Sequence, residues 1–358
     1  MRAPFEEVRN QRRVLFGFSA RDAVARTAAE RDARRVALVV SPRGAAAAST
    51  YLEALGNRAG GVIALARPHV PAEAVAEAVA RVRELGADSI VAVGGGSPIG
   101  LGKALRLDPS IDLTRAFIAV PTTYAGSEMT SIYGIREGGT KRVGIDPRVA
   151  PDVVIYDPAL TAGLPTALAV ASLFNALAHA VDSLYAPGAT PLLAAHAERA
   201  IATVGAALSR PDAIEDALFG AYLASAILGG DGGSTGMALQ HKLAHVVAGT
   251  FELPHAETHA VLLPHVIAFN HAAAPEVTAL CGRALSCADP AGHLYDRAAR
   301  AALPMSLGAL GLTLAQAHQA AATIAAAPVA NVWQPTRSNL AELLERAHRG
   351  DRPTAVDP

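Results

Sequence analysis

The chain has 358 residues, 51% of them hydrophobic and 18% charged, and this composition excludes a disordered or collagen-like chain. The formal net charge is −1 and no basic block exceeds two residues, so neither nucleic acid nor an anionic membrane surface is an expected partner. The length favours two domains, because single hydrophobic cores stop growing near roughly 250–300 residues.

The cysteines and the apolar stretches predict a cytoplasmic protein. Cys281 and Cys287 lie six residues apart in a segment with helical spacing, on different faces, so a disulfide is not expected. Residues 1–9 contain acids and no apolar run, unlike a signal peptide. The most apolar stretches, 169–186 and 300–330, are interrupted by polar residues, so we expect no membrane span.

The first 150 residues alternate between strand-like and helix-like runs. We predict strands at 35–40, 61–65, 89–93 and 116–123, and helices at 45–56, 71–85 and 99–105. The predicted strands are nearly continuous apolar runs, which is the pattern of strands buried on both faces of a parallel sheet. Repeated β-then-α units imply an open parallel sheet covered by helices.

The strand signals stop after residue 158, and helical patterns continue from about 160 to 350. Glycine- and proline-rich breaks separate the predicted helices at 187–191, 229–236, 252–255 and 288–291. We therefore predict an α/β dinucleotide-binding domain over 1–155 and an all-helical substrate and catalytic domain over 156–358.

Three consecutive glycines, Gly94, Gly95 and Gly96, stand with Ser97 between a predicted strand and a predicted helix. Glycines let backbone N–H groups approach a pyrophosphate, and a helix N-terminus favours its negative charge. A plain strand-to-helix turn is the alternative, but three glycines lose more conformational entropy than a turn requires. These residues are the predicted cofactor phosphate site, although they do not form the GxGxxG pattern of ordinary Rossmann dehydrogenases.

A second group of candidate cofactor-binding residues ends another predicted strand. Pro121, Thr122 and Thr123 close that strand, and Ser127 follows shortly after. Open parallel sheets bind ligands at the carboxyl ends of their strands, which makes these hydroxyls candidate contacts. A capped loop is the alternative for this segment.

The loop after the first predicted strand bears on the choice between NADH and NADPH. Ser41 is a candidate cofactor contact there, and no acidic residue closes the strand to bind a ribose 2′-hydroxyl. Arg43 can instead meet a 2′-phosphate, so the sequence leans towards tolerance of NADPH.

The histidines are concentrated in the predicted helical domain. His179 comes four residues after Asn175 and His241 four before His245, so each pair lies on one helix face. His255 follows 14 residues after His241, and His259 comes next. A single helical histidine is usually a packing residue, whereas several convergent imidazoles suit a zinc or ferrous site, which usually adds a carboxylate. Here the residue at the carboxylate-like position is the neutral Asn175.

These motifs carry a resemblance to a known family. The segments that carry it are PTTYAGSEMTSIYG (121–134), DPRVAPDVVIYDP (146–158), SLFNALAHAVDSLYA (172–186) and HKLAHVVAGTFELPHAETHAVLLPH (241–265). They resemble the iron-containing alcohol dehydrogenase and dehydroquinate synthase-like superfamily, and within it the maleylacetate reductases. The resemblance covers about residues 10–350.

The resemblance implies a dehydroquinate synthase-like fold, with an N-terminal Rossmann-like parallel-sheet domain, a C-terminal helical domain and an active site in the cleft between them. It implies NADH- or NADPH-dependent reduction of the double bond of maleylacetate, a small dicarboxylate, to 3-oxoadipate in aromatic compound degradation. The oligomeric state is left open by the sequence, and we expect a homodimer because it is the commonest default for soluble enzymes. The catalytic candidates are His245, His179, His241, His255 and Lys242, and the candidate substrate contacts are Tyr124, Asn175 and His259. Lys242 is a candidate because a dicarboxylate needs a cationic contact, and a surface salt bridge is the alternative for it.

The resemblance also bears on a metal. Metal-dependent relatives have Asp at the position of Asn175, whereas maleylacetate reductases resemble this chain in having Asn there, so no catalytic metal is expected. If a metal does bind, its expected ligands are Asn175, His179, His241 and His255.

Two departures from the family pattern keep other functions open. Pro98 stands where the family usually has Thr, and the segment around Trp333 differs from the usual one. The alternatives are a metal-dependent alcohol or aldehyde dehydrogenase, a related reductase of another enone or keto acid in a biosynthetic pathway, and a nucleotide-binding scaffold without catalysis.

Overall fold

The computed structural model of the chain describes residues 5–9, 12–138, 140–210, 212–228 and 238–354. Their contacts divide them into two compact units, the first reaching to Gly163 and the second beginning at Leu164.

The first unit is built on a seven-stranded sheet. Its strands are β1 (Phe5–Arg9), β2 (Arg12–Phe16), β3 (Val36–Val39), β4 (Ala59–Ile63), β5 (Ser89–Gly94), β6 (Ala116–Pro121) and, after a hairpin of β7 (Ile132–Glu137) and β8 (Thr140–Ile145), β9 (Val153–Tyr156). The order is β1-β2-β9-β6-β5-β3-β4, and every pairing is parallel except that of the edge strand β1 with β2. The predicted parallel sheet is thus confirmed.

The helices of the first unit are α1 (Ala20–Glu30), α2 (Ala48–Leu55), α3 (Ala72–Leu85) and α4 (Gly96–Leu105). Sequence signals set the ends of α3, because Pro71 precedes it and Gly86 ends it in the left-handed conformation, with φ of 60°. Strands β3, β6 and β9 are buried along their whole length, as expected of a sheet covered on both faces.

The structure corrects several predicted elements of this unit. The predicted helix 45–56 is a 3₁₀ turn, Pro42–Ala47, followed by α2, and the predicted helix 99–105 begins earlier, at Gly96. The pattern also missed β1, β2, α1 and the hairpin of β7 and β8. The pattern missed the hairpin because its residues are only half-buried or exposed where burial is described. No continuous apolar run therefore indicates these two strands.

In the second unit every regular element within the described residues is a helix. These are α5 (Thr166–Tyr185), α6 (Pro191–Ser209), α7 (Ile214–Leu228), α8 (Leu239–Phe251), α9 (His255–Asn270), α10 (Pro275–Leu285), α11 (Pro290–Arg300), α12 (Leu314–Ala325) and α13 (Arg337–Arg349). The predicted all-helical character is confirmed, and the predicted break at 229–236 lies outside the described residues.

Helix α5 is the centre of the second unit, where it packs against α6, α7, α8 and α9. All its residues from Ala169 to Tyr185 are buried. By length and composition alone this helix could cross a membrane, but 89% of its most apolar window is buried inside the protein, as in the core helix of a globular domain. The same burial encloses Asn175, His179 and Asp182, the polar residues on this helix that matter below.

Candidate functional site

The turn from β5 into α4 holds the three consecutive glycines in three different environments. Gly94 has φ of +144°, and a Cβ there would lie 2.6 Å from Cγ of Pro98. A Cβ on Gly95 would lie 3.0 Å from the side chain of Thr123, whereas one on Gly96 would meet nothing within 4 Å. The protein's own packing therefore requires the first two glycines, and the third leaves open backbone at the start of a helix.

That open backbone fits a phosphate group. Gly96 and Ser97 form the first turn of α4, a helix of 10 residues, and Gly95 before them has no side chain that could cap the N–H groups. Unpaired N–H groups at a helix start, with the favourable end of the helix dipole, bind anions. Because Gly96 has no Cβ, the space beside its backbone is open, and a pyrophosphate needs such a space to approach the N–H groups.

The residues that follow β6 lie next to this turn. Pro121 pairs with Gly94 across the sheet, and the backbone N–H of Thr122 donates to the carbonyl of Gly94 at 3.1 Å. Thr123 lies against Gly95, as its contact with a Cβ there shows. The structure therefore brings together two of the three predicted cofactor-binding segments.

The other predicted contacts of the first unit have clear local roles. Ser41 caps the turn after β3, where its Oγ accepts from the N–H of Gly44 at 3.2 Å, and Arg43 in that turn is exposed. Ser127 begins a short 3₁₀ turn. Tyr124 is buried, and burial raises the pKa of its hydroxyl while a hydrogen bond with Thr161 opposes that shift.

The sequence pattern did not predict a buried ionic cluster of Lys103, Arg12 and Glu128, which lies next to this region. Lys103 of α4 donates from Nζ to Oγ1 of Thr130 at 2.9 Å and to the carbonyl of Ile132 at 2.8 Å. Burial lowers the pKa of Lys103 to about 7, helped by Arg12 and opposed by Glu128. These bonds attach α4 to the segment that leads from the strand-end threonines into β7.

Five predicted histidines come together in the second unit. Helix α5 supplies His179, α8 supplies His241 and His245, and α9 supplies His255 and His259. The ring centroid of His241 lies 4.9 Å from the centroids of His179 and His259. The ring centroid of His255 lies 4.7 Å from that of His259 and 5.7 Å from that of His245. We call these five residues the histidine cluster.

Two residues that the sequence pattern did not single out anchor this cluster. Asp182 accepts a hydrogen bond from Nδ1 of His241 at 2.8 Å, and Gln240 lies with its Nε2 3.2 Å from Nδ1 of His259. Both residues are buried. A sequence signal for Asp182 exists, because an acid three residues after His179 in an otherwise apolar helix shares the face of that histidine.

Two rings of the cluster favour the neutral form. The pKa values of His179 and His259 are well below the ordinary value, chiefly because burial disfavours the charged form and secondly because neighbouring histidines repel a second charge. Within the described residues, Nδ1 of His179 and Nε2 of His241 and His259 are buried without a hydrogen-bond partner. A neutral ring offers one N–H donor and one lone pair, so the cluster is suited to hydrogen bonding.

Asn175, His179, His241 and His255 are the expected ligands if a metal binds. Among the residues that the structure describes, no three His, Cys, Asp or Glu side chains are arranged to hold a metal ion. Asn175, one turn before His179 on α5, brings an amide and no negative charge. The donor set expected for a metal therefore consists of three imidazoles and one neutral amide.

Two other residues from the sequence analysis lie outside the cluster. Lys242 follows His241 on α8 and is exposed. Trp333 donates from Nε1 to Oδ1 of Asn270 at 3.1 Å and stacks on Phe269, so it binds the last turn of α9. Asn270, the partner of Trp333, lies about 16 Å from His259 of the cluster along the axis of α9, because each residue of a helix adds 1.5 Å.

Comparison with known proteins gives matches along most of the chain. Residues 11–158 match the family description "iron-containing alcohol dehydrogenase", and residues 169–348 match "Fe-containing alcohol dehydrogenase family, C-terminal". A maleylacetate reductase from Burkholderia cepacia is 42% identical over 349 residues, which cover 96% of this chain and 97% of that protein.

Solved structures agree with the sequence comparison. The crystal structure of maleylacetate reductase from Agrobacterium tumefaciens has a TM-score of 0.86 and 37% identity, covering 99% of this chain and 100% of that one. The crystal structure of maleylacetate reductase from Rhizobium sp. strain MTP-10005 has a TM-score of 0.86 and 36% identity with the same coverage. The resemblance and the fold class predicted from the motifs are thereby confirmed.

Proposed function

This chain belongs to the iron-containing alcohol dehydrogenase family, and we propose that it reduces the carbon–carbon double bond of maleylacetate with NADH or NADPH to give 3-oxoadipate. It is an NAD(P)-dependent oxidoreductase by this membership. The observation that carries the choice of substrate is the 42% identity with a maleylacetate reductase over nearly the full length of both chains.

The first unit supplies the residues that hold the cofactor in this proposal. The N–H groups at Gly96 and Ser97 bind the pyrophosphate, and Thr122 and Thr123, which lie beside that turn, bring hydroxyl groups that can donate to it. When bound, the reduced nicotinamide supplies the hydride that adds to the double bond.

The second unit supplies hydrogen-bond donors for the charge that develops. Hydride addition β to a ketone places negative charge on the ketone oxygen, and preorganised N–H groups stabilise such charge more than water does. The buried rings of His179 and His259 are held by helices α5 and α9, so they need no reorganisation when the charge appears. A histidine of the cluster or a water then delivers a proton to the adjacent carbon.

We propose that this reaction needs no metal. A divalent cation in a protein site is normally neutralised by a carboxylate, and Asn175 replaces that charge with an amide. The neutral amide leaves the imidazoles to act as hydrogen-bonding groups themselves. The low pKa of His179 and His259 agrees with this role, since neutral rings keep one N–H donor each.

The experiment is an absorbance assay of NADH and NADPH oxidation with maleylacetate, run with and without a chelator on protein of measured metal content. We expect turnover that the chelator does not change. We also expect the protein to contain less than one metal ion per chain. Turnover of simple alcohols that is lost on chelation and restored by Fe²⁺ or Zn²⁺ would instead assign a metal-dependent alcohol dehydrogenase.

A matched pair of variants ties the activity to the cluster. Loss of one donor to a developing oxyanion lowers kcat by about 10²–10³-fold, which we expect for His259→Ala. His318→Ala is the control, because His318 is exposed on α12 and pairs with Glu345. Equal activity of both variants would assign the cluster to packing.

We further propose a homodimer in the reducing cytoplasm. Both cysteines, Cys281 and Cys287, are free thiols, as expected of a protein from a reducing compartment. A symmetric dimer is the commonest assembly of such enzymes. Light scattering should then give about twice the 36.7 kDa chain mass.

A further inference from the structure

Asp182 makes three hydrogen bonds, all to the start of α8. Its carboxylate accepts from the backbone N–H groups of Gln240 at 3.0 Å and His241 at 3.2 Å, and from Nδ1 of His241 at 2.8 Å. Asp182 is 1% exposed, so this carboxylate has been removed from water and depends on these three donors.

Two of these bonds cap a helix that cannot cap itself. Ala238 precedes α8 and has no polar side chain, so the first N–H groups of α8 need an acceptor from elsewhere. A carboxylate from α5 fills this role, and its negative charge is favourable at a helix N-terminus. The backbone around His241 is therefore fixed to α5.

The third bond sets the tautomer of His241. An ionised carboxylate is only an acceptor, so the ring proton of His241 must stay on Nδ1. The other nitrogen, Nε2, then carries a lone pair in the neutral ring. Within the described part of the chain this buried Nε2 has no hydrogen-bond partner.

Gln240 sets the opposite tautomer on the neighbouring ring. Its Nε2 lies 3.2 Å from Nδ1 of His259, and an amide N–H can only donate. Nδ1 of His259 is therefore an acceptor, and the ring proton lies on Nε2. Ring centroids of His241 and His259 are 4.9 Å apart, so an acceptor nitrogen and a donor nitrogen belong to adjacent rings.

We propose that Asp182 and Gln240 are positioning residues that hold His241 and His259 in opposite tautomers, so that the histidine cluster offers one lone pair and one N–H side by side. This assignment rests on the proposed function for its chemistry. The N–H of His259 serves the oxygen that becomes negative, and the lone pair of His241 accepts from the hydroxyl or water that supplies a proton.

Ring protonation can be measured without any activity. In protein labelled with ¹⁵N-histidine, long-range ¹⁵N–¹H spectra distinguish a protonated from an unprotonated ring nitrogen, and His241→Gln and His259→Gln assign the signals. We expect a proton on Nδ1 of His241 and on Nε2 of His259. The same tautomer on both rings would overturn the proposal even if maleylacetate is the substrate.

Substitution of the two positioning residues gives the kinetic test. Gln240→Glu replaces the donor opposite His259 by an acceptor, and Asp182→Asn replaces one of the two acceptor oxygens at the start of α8 by an N–H donor. Loss of such a supporting contact typically lowers activity about 10–100-fold. We expect that loss in kcat, with KM for maleylacetate within about threefold, a changed tautomer in the spectrum, and partial rescue by Asp182→Glu.

Two outcomes would contradict this assignment. One is a folded Asp182→Asn or Gln240→Glu protein with wild-type kcat, and the other is a loss of kcat without any change of ring protonation. If Asp182→Asn fails to fold because α8 loses its cap, Gln240→Glu and the wild-type spectrum still decide. Gln319→Glu, an exposed change on α12, controls for the added charge.

Discussion

Thr123 lies against Gly95, so the residues after β6 close over the turn that leads from β5 into α4. A Cβ on Gly95 would stand 3.0 Å from both Cγ2 and Oγ1 of Thr123. Any side chain at Gly95 would therefore displace a neighbouring residue of the protein before it met a ligand. Gly96 differs, because a Cβ there has open space, and this difference makes it the better probe of the phosphate site.

We predict that Gly96→Ala weakens cofactor binding and leaves the fold intact. The added methyl group should block close approach of a pyrophosphate and raise the KM for the cofactor at least about tenfold, or about 1.4 kcal/mol. The free energy of unfolding should not fall, since alanine is a better helix former than glycine. Gly163→Ala is the control, with equally open space around its Cβ. Equal cofactor KM values for both variants would remove this turn from the site.

We predict that Arg43→Ala affects NADPH more than NADH. Arg43 is exposed in the turn that follows β3, and β3 lies beside β5 in the sheet, so both strands end at the same edge. Its guanidinium can meet a 2′-phosphate that only NADPH carries. The KM for NADPH should rise about tenfold with the KM for NADH unchanged. An equal change in the KM values for NADPH and NADH would show that Arg43 does not contact the 2′-phosphate.

Local pattern was sufficient to predict what depends on residues close in sequence. The apolar runs at β3, β5 and β6 marked buried strands, and the four-residue spacing of His241 and His245 placed both on one helix face. The triglycine stands between a predicted strand and a predicted helix, and the structure has β5 and α4 on its two sides. In each case the signal and the structure that it indicates lie within a few residues.

Contacts between distant residues were not predictable in the same way. Asp182 and His241 are 59 residues apart, and Lys103 meets Thr130 across 27 residues. A buried acid or lysine in an apolar helix shows only that some partner must exist, because its charge cannot remain unpaired. Which partner it finds depends on how helices pack, and a single sequence does not contain that.

We predict that Lys103 makes stability rise with pH above neutrality. Its pKa is about 7 in the folded protein and near 10.5 in the unfolded chain, so the unfolded chain binds more protons between these values. The free energy of unfolding therefore increases with pH there, by at most about 1.4 kcal/mol per pH unit.

Lys103→Met should remove this dependence. We would measure urea unfolding at pH 7, 8 and 9. Over that range the free energy of unfolding of the wild type should increase by about 2 kcal/mol relative to that of the variant. Lys242→Met is the control, because Lys242 is exposed, and it should follow the wild type. Parallel curves for wild type and Lys103→Met would mean that Lys103 keeps its proton when buried.

Asn175→Asp tests the role of the amide beside the cluster. The added negative charge should raise the affinity for divalent ions, since it places a carboxylate one turn before His179, where the wild type has a neutral amide. It should also repel a dicarboxylate substrate and lower kcat/KM for maleylacetate about tenfold or more, which corresponds to about 1.4 kcal/mol. Calorimetric titration with Zn²⁺ and the maleylacetate assay measure the two effects. We expect tight zinc binding only in the variant. Stoichiometric metal in the wild type, with activity lost on chelation and restored by the ion, would contradict metal-independent catalysis.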